Sequence, residues 1–161
     1  MKKREKDLLL ELIRKSKQSD RELATKLKTS QSTITRTRHR LEKKIIRAYT
    51  VIPNFSEIDI NLIVFTVCKC DEPNNEFHKT LKKFIDDHPC IAFMSRGEGM
   101  GTKIMVSFHS DFDGYQDFMR ETRRIFNKHI TGLKSIITST RNITKELDLY
   151  RPVRHFLEEN R

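Results

Sequence analysis

The sequence predicts an α+β chain built of two unlike parts, and three observations predict it. Its 161 residues carry a net charge of +10. Residues 1–53 hold 16 Lys and Arg against 6 Asp and Glu, whereas residues 54–161 hold 16 against 16, so the whole excess lies in the first part. Between Ser19 and Lys43 the apolar residues recur at helical spacing on either side of a short polar break. After Asn61 the pattern switches repeatedly between β-branched runs and helix-period segments.

In chain order, Asp7–Lys15 is predicted as a helix with Leu8, Leu9, Leu12 and Ile13 as its stripe. Ser19-Asp20-Arg21-Glu22 fits a capping box, and Leu23, Ala24 and Leu27 give the helix it opens a short apolar face. Lys28-Thr29-Ser30 is the break, with Thr29 or Ser30 as the next N-cap. A further helix is expected from Gln31 to Lys43. At about 100° per residue, Ile34 and Leu41 fall together and face a core. Ser32, Thr35, Arg36, His39 and Lys43 lie opposite, flanked by Arg38 and Arg40, with Glu42 toward the core side. That outer face has hydroxyls, an imidazole and cations, and no carboxylate of its own. A DNA major groove takes this surface: Arg for guanine edges, small hydroxyls for close approach, cations for phosphates. In a helix-turn-helix the N-terminal half of the second helix reaches the bases, which points first to Ser32, Thr35 and Arg36.

Ile46 to Ile52 alternates and is expected as a strand or wing, with Arg47 near the DNA backbone. Domain boundaries follow: 1–53 for a winged helix-turn-helix, 54–58 for a linker, and 59–161 for the second domain with a C-terminal arm. There, Asn61–Cys70 is expected as a buried strand, Glu72-Pro73-Asn74-Asn75 as a turn, and Glu76–Asp87 as a helix presenting Phe77, Leu81, Phe84 and Ile85. Cys90–Arg96 and Thr102–His109 are the next strands, the latter with Ile104, Val106 and Phe108 inward. Asp111–His129 is a helix carrying Tyr115, Phe118, Met119, Phe126 and Ile130, and Lys134–Arg141 is the last strand. The order β-α-β-β-α-β describes a ferredoxin-like fold. Both helices cover one sheet face, and the first strand is apolar on both sides. A second copy of the sheet is the simplest cover, so a homodimer or a larger homo-oligomer is expected. Lys145–Arg161 reads as an arm and a short helix that docks on a partner subunit.

The two halves together resemble the leucine-responsive regulator (Lrp/AsnC) family of transcription factors. The resemblance rests on Asp7 with Leu10, Arg21-Glu22-Leu23-Ala24, Ser30-Gln31-Ser32-Thr33-Ile34, Arg40-Leu41-Glu42-Lys43, Ile45-Ile46 and Tyr49, followed by the β-α-β-β-α-β half. It implies double-stranded DNA as partner, contacted by Ser30, Gln31, Ser32, Thr33, Thr35, Arg36, His39, Arg40 and Lys43. It also implies a small-molecule effector such as an amino acid, bound near Gly97, Gly99, Met100, Gly101 and Thr102 at a subunit interface. Three departures stand out. Thr37-Arg38 replaces an Arg followed by an apolar residue, Lys44 replaces a small residue, and Thr102 takes the place of an Asp in the glycine loop.

Other chemistries find little support. The glycine loop opens a strand, not a helix, so it is no nucleotide fingerprint; as a hairpin loop its glycines allow φ > 0. Cys68, Cys70 and Cys90 read as small core residues before thiol sensors. The six histidines are scattered without zinc spacing. No metal, cofactor, catalytic constellation or membrane partner is expected. Leu8-Leu9-Leu10 is too short for the core of a secretory signal, and three cysteines without an export signal point to a reducing cytoplasm. A DNA-coating protein of low specificity is the alternative to a sequence-specific regulator.

Overall fold

The computed structural model describes residues 1–71 and 74–159. The chain forms two compact units: Met1–Ile52 together with the segment from Lys145 onward, and Pro53–Thr144. The C-terminal arm, grouped by sequence with the second domain, thus belongs to the first unit.

The first unit is helical. Helix α1 spans Lys3–Arg14, four residues earlier than expected, because the Glu5 carboxylate accepts from the Lys2 N–H (2.9 Å) and closes an extra turn. Helix α2 spans Asp20–Lys26 behind the expected capping box: the Glu22 N–H donates to Ser19 Oγ (3.2 Å), and the Ser19 N–H donates to the Glu22 carboxylate (2.7 Å). It stops at Lys28, whose φ of 50° is left-handed; the Thr29 N–H reaches back to the Ala24 carbonyl (2.9 Å), the closure of a Schellman turn. Helix α3, Gln31–Lys44, follows with Ser30 as N-cap. Leu8, Leu9, Leu12, Leu23, Ala24, Ile34 and Leu41 form one buried cluster. Thr37 joins that interior, its hydroxyl donating to the Thr33 carbonyl (2.7 Å), so a polar residue fills a core-facing turn of α3. Glu42 is exposed and accepts from the Tyr49 hydroxyl (3.0 Å); it does not turn to the core, where a carboxylate would need a buried partner.

The last helix, α6 (Tyr150–Glu159), packs on α1 of its own chain. Leu157 joins the apolar cluster, Lys6 Nζ donates to the Leu157 carbonyl (2.7 Å), and the Arg14 guanidinium lies 4.4 Å from the Tyr150 ring centre. The expected strand over Ile46–Ile52 is absent; no strand runs alongside to complete a ladder, and Val51 is 82% exposed.

The second unit is a four-stranded antiparallel sheet in the order β2-β3-β1-β4, where β1 is Leu62–Cys70, β2 Ile91–Arg96, β3 Lys103–His109 and β4 Ile130–Ser139. Helices α4 (Asn75–Asp87) and α5 (Phe112–Phe126) start at Asn74 and Asp111, whose side chains accept from the N–H groups of Phe77 (3.0 Å) and Gly114 (2.8 Å). They bury Phe77, Phe84, Tyr115, Phe118, Met119 and Phe126 against Val64 and Met105. The Glu72-Pro73 part of the expected turn lies outside the described residues.

Three sequence expectations change here. Ile130 opens β4 and is not helical, because β1 pairs as far as Cys70 and draws Ile130 into the ladder. The inward residues of β3 are Met105, Ser107 and His109, while Ile104, Val106 and Phe108 face the other way. The register decides this: Met105 and Ser107 sit opposite Thr66 and Val64, which face the helices. The segment assigned as a linker, 54–58, holds a short 3-10 turn, Phe55–Ile58, whose Phe55 ring lies tilted against Phe108 of the sheet (5.1 Å).

Candidate nucleic-acid interface and glycine loop

The outer face of α3 is set by what its neighbours take. Ser30 Oγ accepts from the Thr33 N–H (3.3 Å) and meets Thr33 Oγ1 (2.8 Å), so both cap the helix. Arg38 turns back toward α2: its Nε contacts the Asp20 carboxylate (2.8 Å) and its Nη2 donates to the Gln18 carbonyl (3.0 Å). Arg40 reaches Glu5 at 3.6 Å. The Thr35 hydroxyl donates to Asp20 as well. Gln31, Ser32, Thr35, Arg36, His39, Arg40 and Lys43 are exposed on α3, as are Glu42 and Lys44 near its end. Gln31, Ser32, Thr35, Arg36 and His39 line one shallow depression.

This gathers most of the residues expected from the sequence on one surface. Ser30 and Thr33 lie at its edge with structural duties. Asp20 was missed. It sits 15 residues before Thr35, and only the packing of α2 across α3 brings the two together.

The glycine loop joins β2 to β3. Its far end is sewn to β1: the Thr102 N–H donates to the Cys68 carbonyl (2.9 Å), and the Thr102 hydroxyl accepts from the Cys70 N–H (2.8 Å). Gly101 is buried there. A Cβ at this position would lie 2.5 Å from the Cys68 carbonyl oxygen, so the glycine is required by close approach. Gly99 has φ of 105° and Met100 is exposed. Arg96, Gly97, Glu98, Thr102 and Cys70 line an open depression. Gly97 and Thr102 of the expected effector set therefore meet there, joined by Arg96 and Glu98, whose side chains the glycine pattern does not mark. Gly101 is spent on packing.

Burial pushes the Cys68 and Cys90 thiols above their ordinary values, against the nearby Lys103 ammonium in the case of Cys68. Raised thiols hold less thiolate and suit core residues. Among the described residues no group of three or more His, Cys, Asp or Glu is arranged to hold a metal, and no helix is long and apolar enough to cross a membrane.

No protein-family model matches the chain, and no curated protein matches it. Solved structures do. A transcriptional regulator from Neisseria meningitidis, crystallised with L-methionine, superposes with a TM-score of 0.82 at 15% identity, covering 97% of this chain and 99% of its own. An AsnC family transcriptional regulator from Agrobacterium tumefaciens gives 0.77 at 17% identity, over 92% and 95%. LrpC of B. subtilis gives 0.72 at 21% identity, over 92% and 98%. The chain has the fold of these Lrp/AsnC regulators over nearly its whole length.

Proposed function

We propose that this chain is a sequence-specific, DNA-binding transcriptional regulator of the Lrp/AsnC family, acting as a homodimer or larger homo-oligomer. The observation that carries the reading is the exposed face of α3. Ser32, Arg36, His39 and Lys43 stand free of the first unit's core on a helix that follows a helix-turn-helix break. Arg36 suits a guanine edge, and Lys43 with the other cations of residues 1–53 suits phosphates.

Dimerisation follows from the uncovered sheet face. Phe93, Val106, Phe65 and Ile136 are successive partners across β2-β3-β1-β4 and form one apolar row. Phe93 is 53% and Ile136 71% exposed, although both lie in strands. Exposed apolar patches of this kind mark interfaces. A second copy brings two α3 helices to successive major grooves about 34 Å apart.

The depression beside the glycine loop is lined by Arg96 and Glu98, a cation and a carboxylate, the charges an amino acid zwitterion needs. The Neisseria relative that holds L-methionine supports an amino acid as effector. Such a ligand acts by binding one assembly or spacing better than another.

The deciding experiment titrates the protein against its own upstream DNA and a shuffled duplex at two salt concentrations. A preference of about a thousandfold or more supports a specific regulator. Equal, steeply salt-dependent binding to both supports low-specificity DNA coating, which the +10 balance of residues 1–53 would also serve. Absence of binding at low salt overturns both. On a specific site, Arg36→Ala is expected to weaken binding by about 1–3 kcal/mol, measured by fluorescence anisotropy with circular dichroism unchanged.

A further inference from the structure

We propose that Thr35 reads the 5-methyl group of a thymine, and that Asp20 is the positioning residue that makes it do so. The inference rests on α3 entering the major groove and goes further, naming the base class and the chemical group recognised.

Thr35 has one hydroxyl hydrogen, and it is used inside the protein. Its Oγ1 donates to the Asp20 carboxylate and lies 3.1 Å from the Gln31 carbonyl oxygen one helical turn back. Asp20 is itself fixed. Its other carboxylate oxygen lies 2.8 Å from Arg38 Nε as an ion pair, its angle off that of a hydrogen bond, and Arg38 is anchored by Nη2 donating to the Gln18 carbonyl at 3.0 Å. Two residues of α3, three apart in sequence, are thus gripped by one carboxylate of α2.

The consequence follows from the shape of threonine. A β-branched side chain has few allowed χ1 states in a helix, so fixing the hydroxyl fixes the methyl. Thr35 remains exposed, in the depression it shares with Gln31, Ser32, Arg36 and His39. With the hydroxyl hydrogen turned toward Asp20 and its own helix, the γ-methyl is the apolar group that Thr35 offers a partner. In the major groove the group that rewards an apolar contact is the thymine methyl. A hydrogen-bonding role in which Thr35 donates to a base would require breaking the contact with a carboxylate, the stronger kind of acceptor.

The test uses the full chain. A binding site is selected from randomised duplexes, and each thymine in it is replaced singly by deoxyuridine, which removes only the methyl. One thymine per half-site is expected to matter, its replacement weakening wild-type binding about fourfold, the effect of one buried methyl. Thr35→Ser, which keeps the hydroxyl, is expected to bind thymine and uracil equally there. Thr35→Val, which has a methyl at both γ positions and so needs no hydroxyl contact to aim one, is expected to go on discriminating. Asp20→Ala is expected to blunt the discrimination while the helical circular dichroism persists. Discrimination retained by Thr35→Ser or lost in Thr35→Val overturns the proposal, as does a wild-type protein indifferent to every thymine methyl. If discrimination survives in Asp20→Ala, Asp20 loses its role. If no sequence is enriched at all, it is the DNA-reading premise that falls, a separate and recognisable result.

Discussion

Gly101 and His109 show how single positions are bound to their surroundings. The hydrogen that Gly101 carries in place of a side chain faces the Cys68 carbonyl, and backbone cannot move aside as a side chain would. Gly101→Ala is expected to destabilise the second unit by about 1–3 kcal/mol, seen as a lower urea midpoint. Gly97→Ala, where a Cβ meets nothing within 4 Å, serves as its control. His109 is buried between the sheet and α5, bonded to Ser107 Oγ (2.9 Å) and packed against Tyr115 and Phe118. Burial lowers its pKa from the usual 6.5, with Asp111 opposing. The sign follows. The unfolded chain takes up the proton near 6.5, the folded chain only at lower pH, so the unfolded state binds more protons between the two values. Stability is fully present above 6.5 and is lost as pH falls from there through the folded value. Urea unfolding at pH 7.5 and 5.5 is expected to show this loss in the wild type and a smaller loss in His109→Gln.

At the scale of elements, α2 is the piece on which the reading surface depends. It is only seven residues long, too short to hold itself as an isolated helix. Its start is fixed by the reciprocal Ser19–Glu22 bonds and its end by the turn at Lys28, and Asp20 between them grips α3. Ser19→Ala is expected to cost about 1 kcal/mol of unfolding free energy, read in the same urea titration. The two candidate sites were legible in the sequence to different degrees. The α3 face was readable from a helical wheel, since Ile34 and Leu41 are the only aliphatic anchors of that helix and fix its rotation. The roles of Thr35 and Arg38 were not, because Asp20 reaches them across the packing of two helices. In the second unit, strands were found from β-branched runs, but β3 was turned over. Its residues alternate Ile104, Val106 and Phe108 with Met105, Ser107 and His109, and the apolar set looks like the core set until its neighbours are known.

The whole molecule explains that reversal. A sheet with both faces apolar has one cover in its own helices and needs another. The stronger apolar row of β3 lies on the side the chain itself leaves open. Replacing Ile136 by Glu would put a charge at the β4 end of the Phe93-Val106-Phe65-Ile136 row, on its most exposed member. Under the proposed assembly, Ile136→Glu is expected to shift the protein to monomers in sedimentation equilibrium, with its circular dichroism unchanged. An unaltered molecular mass would remove this face as the dimer interface.

The two-part division of charge, the helix-turn-helix with its caps, and the β-α-β-β-α-β order are written in the residues themselves. Each of these is a local property, set by period, capping residues and composition within a few turns of chain. The inward face of β3, the opening of a strand at Ile130, the closure of α6 on α1 and the hold of Asp20 on Thr35 and Arg38 emerge with the folded chain. These depend on pairings between residues from 15 to more than 130 positions apart, as in the Asp20–Thr35 and Arg14–Tyr150 hydrogen bonds. Period and capping residues say nothing about which distant partner a side chain meets. Sheet register and helix crossing supply that information, and they exist only once the chain has folded.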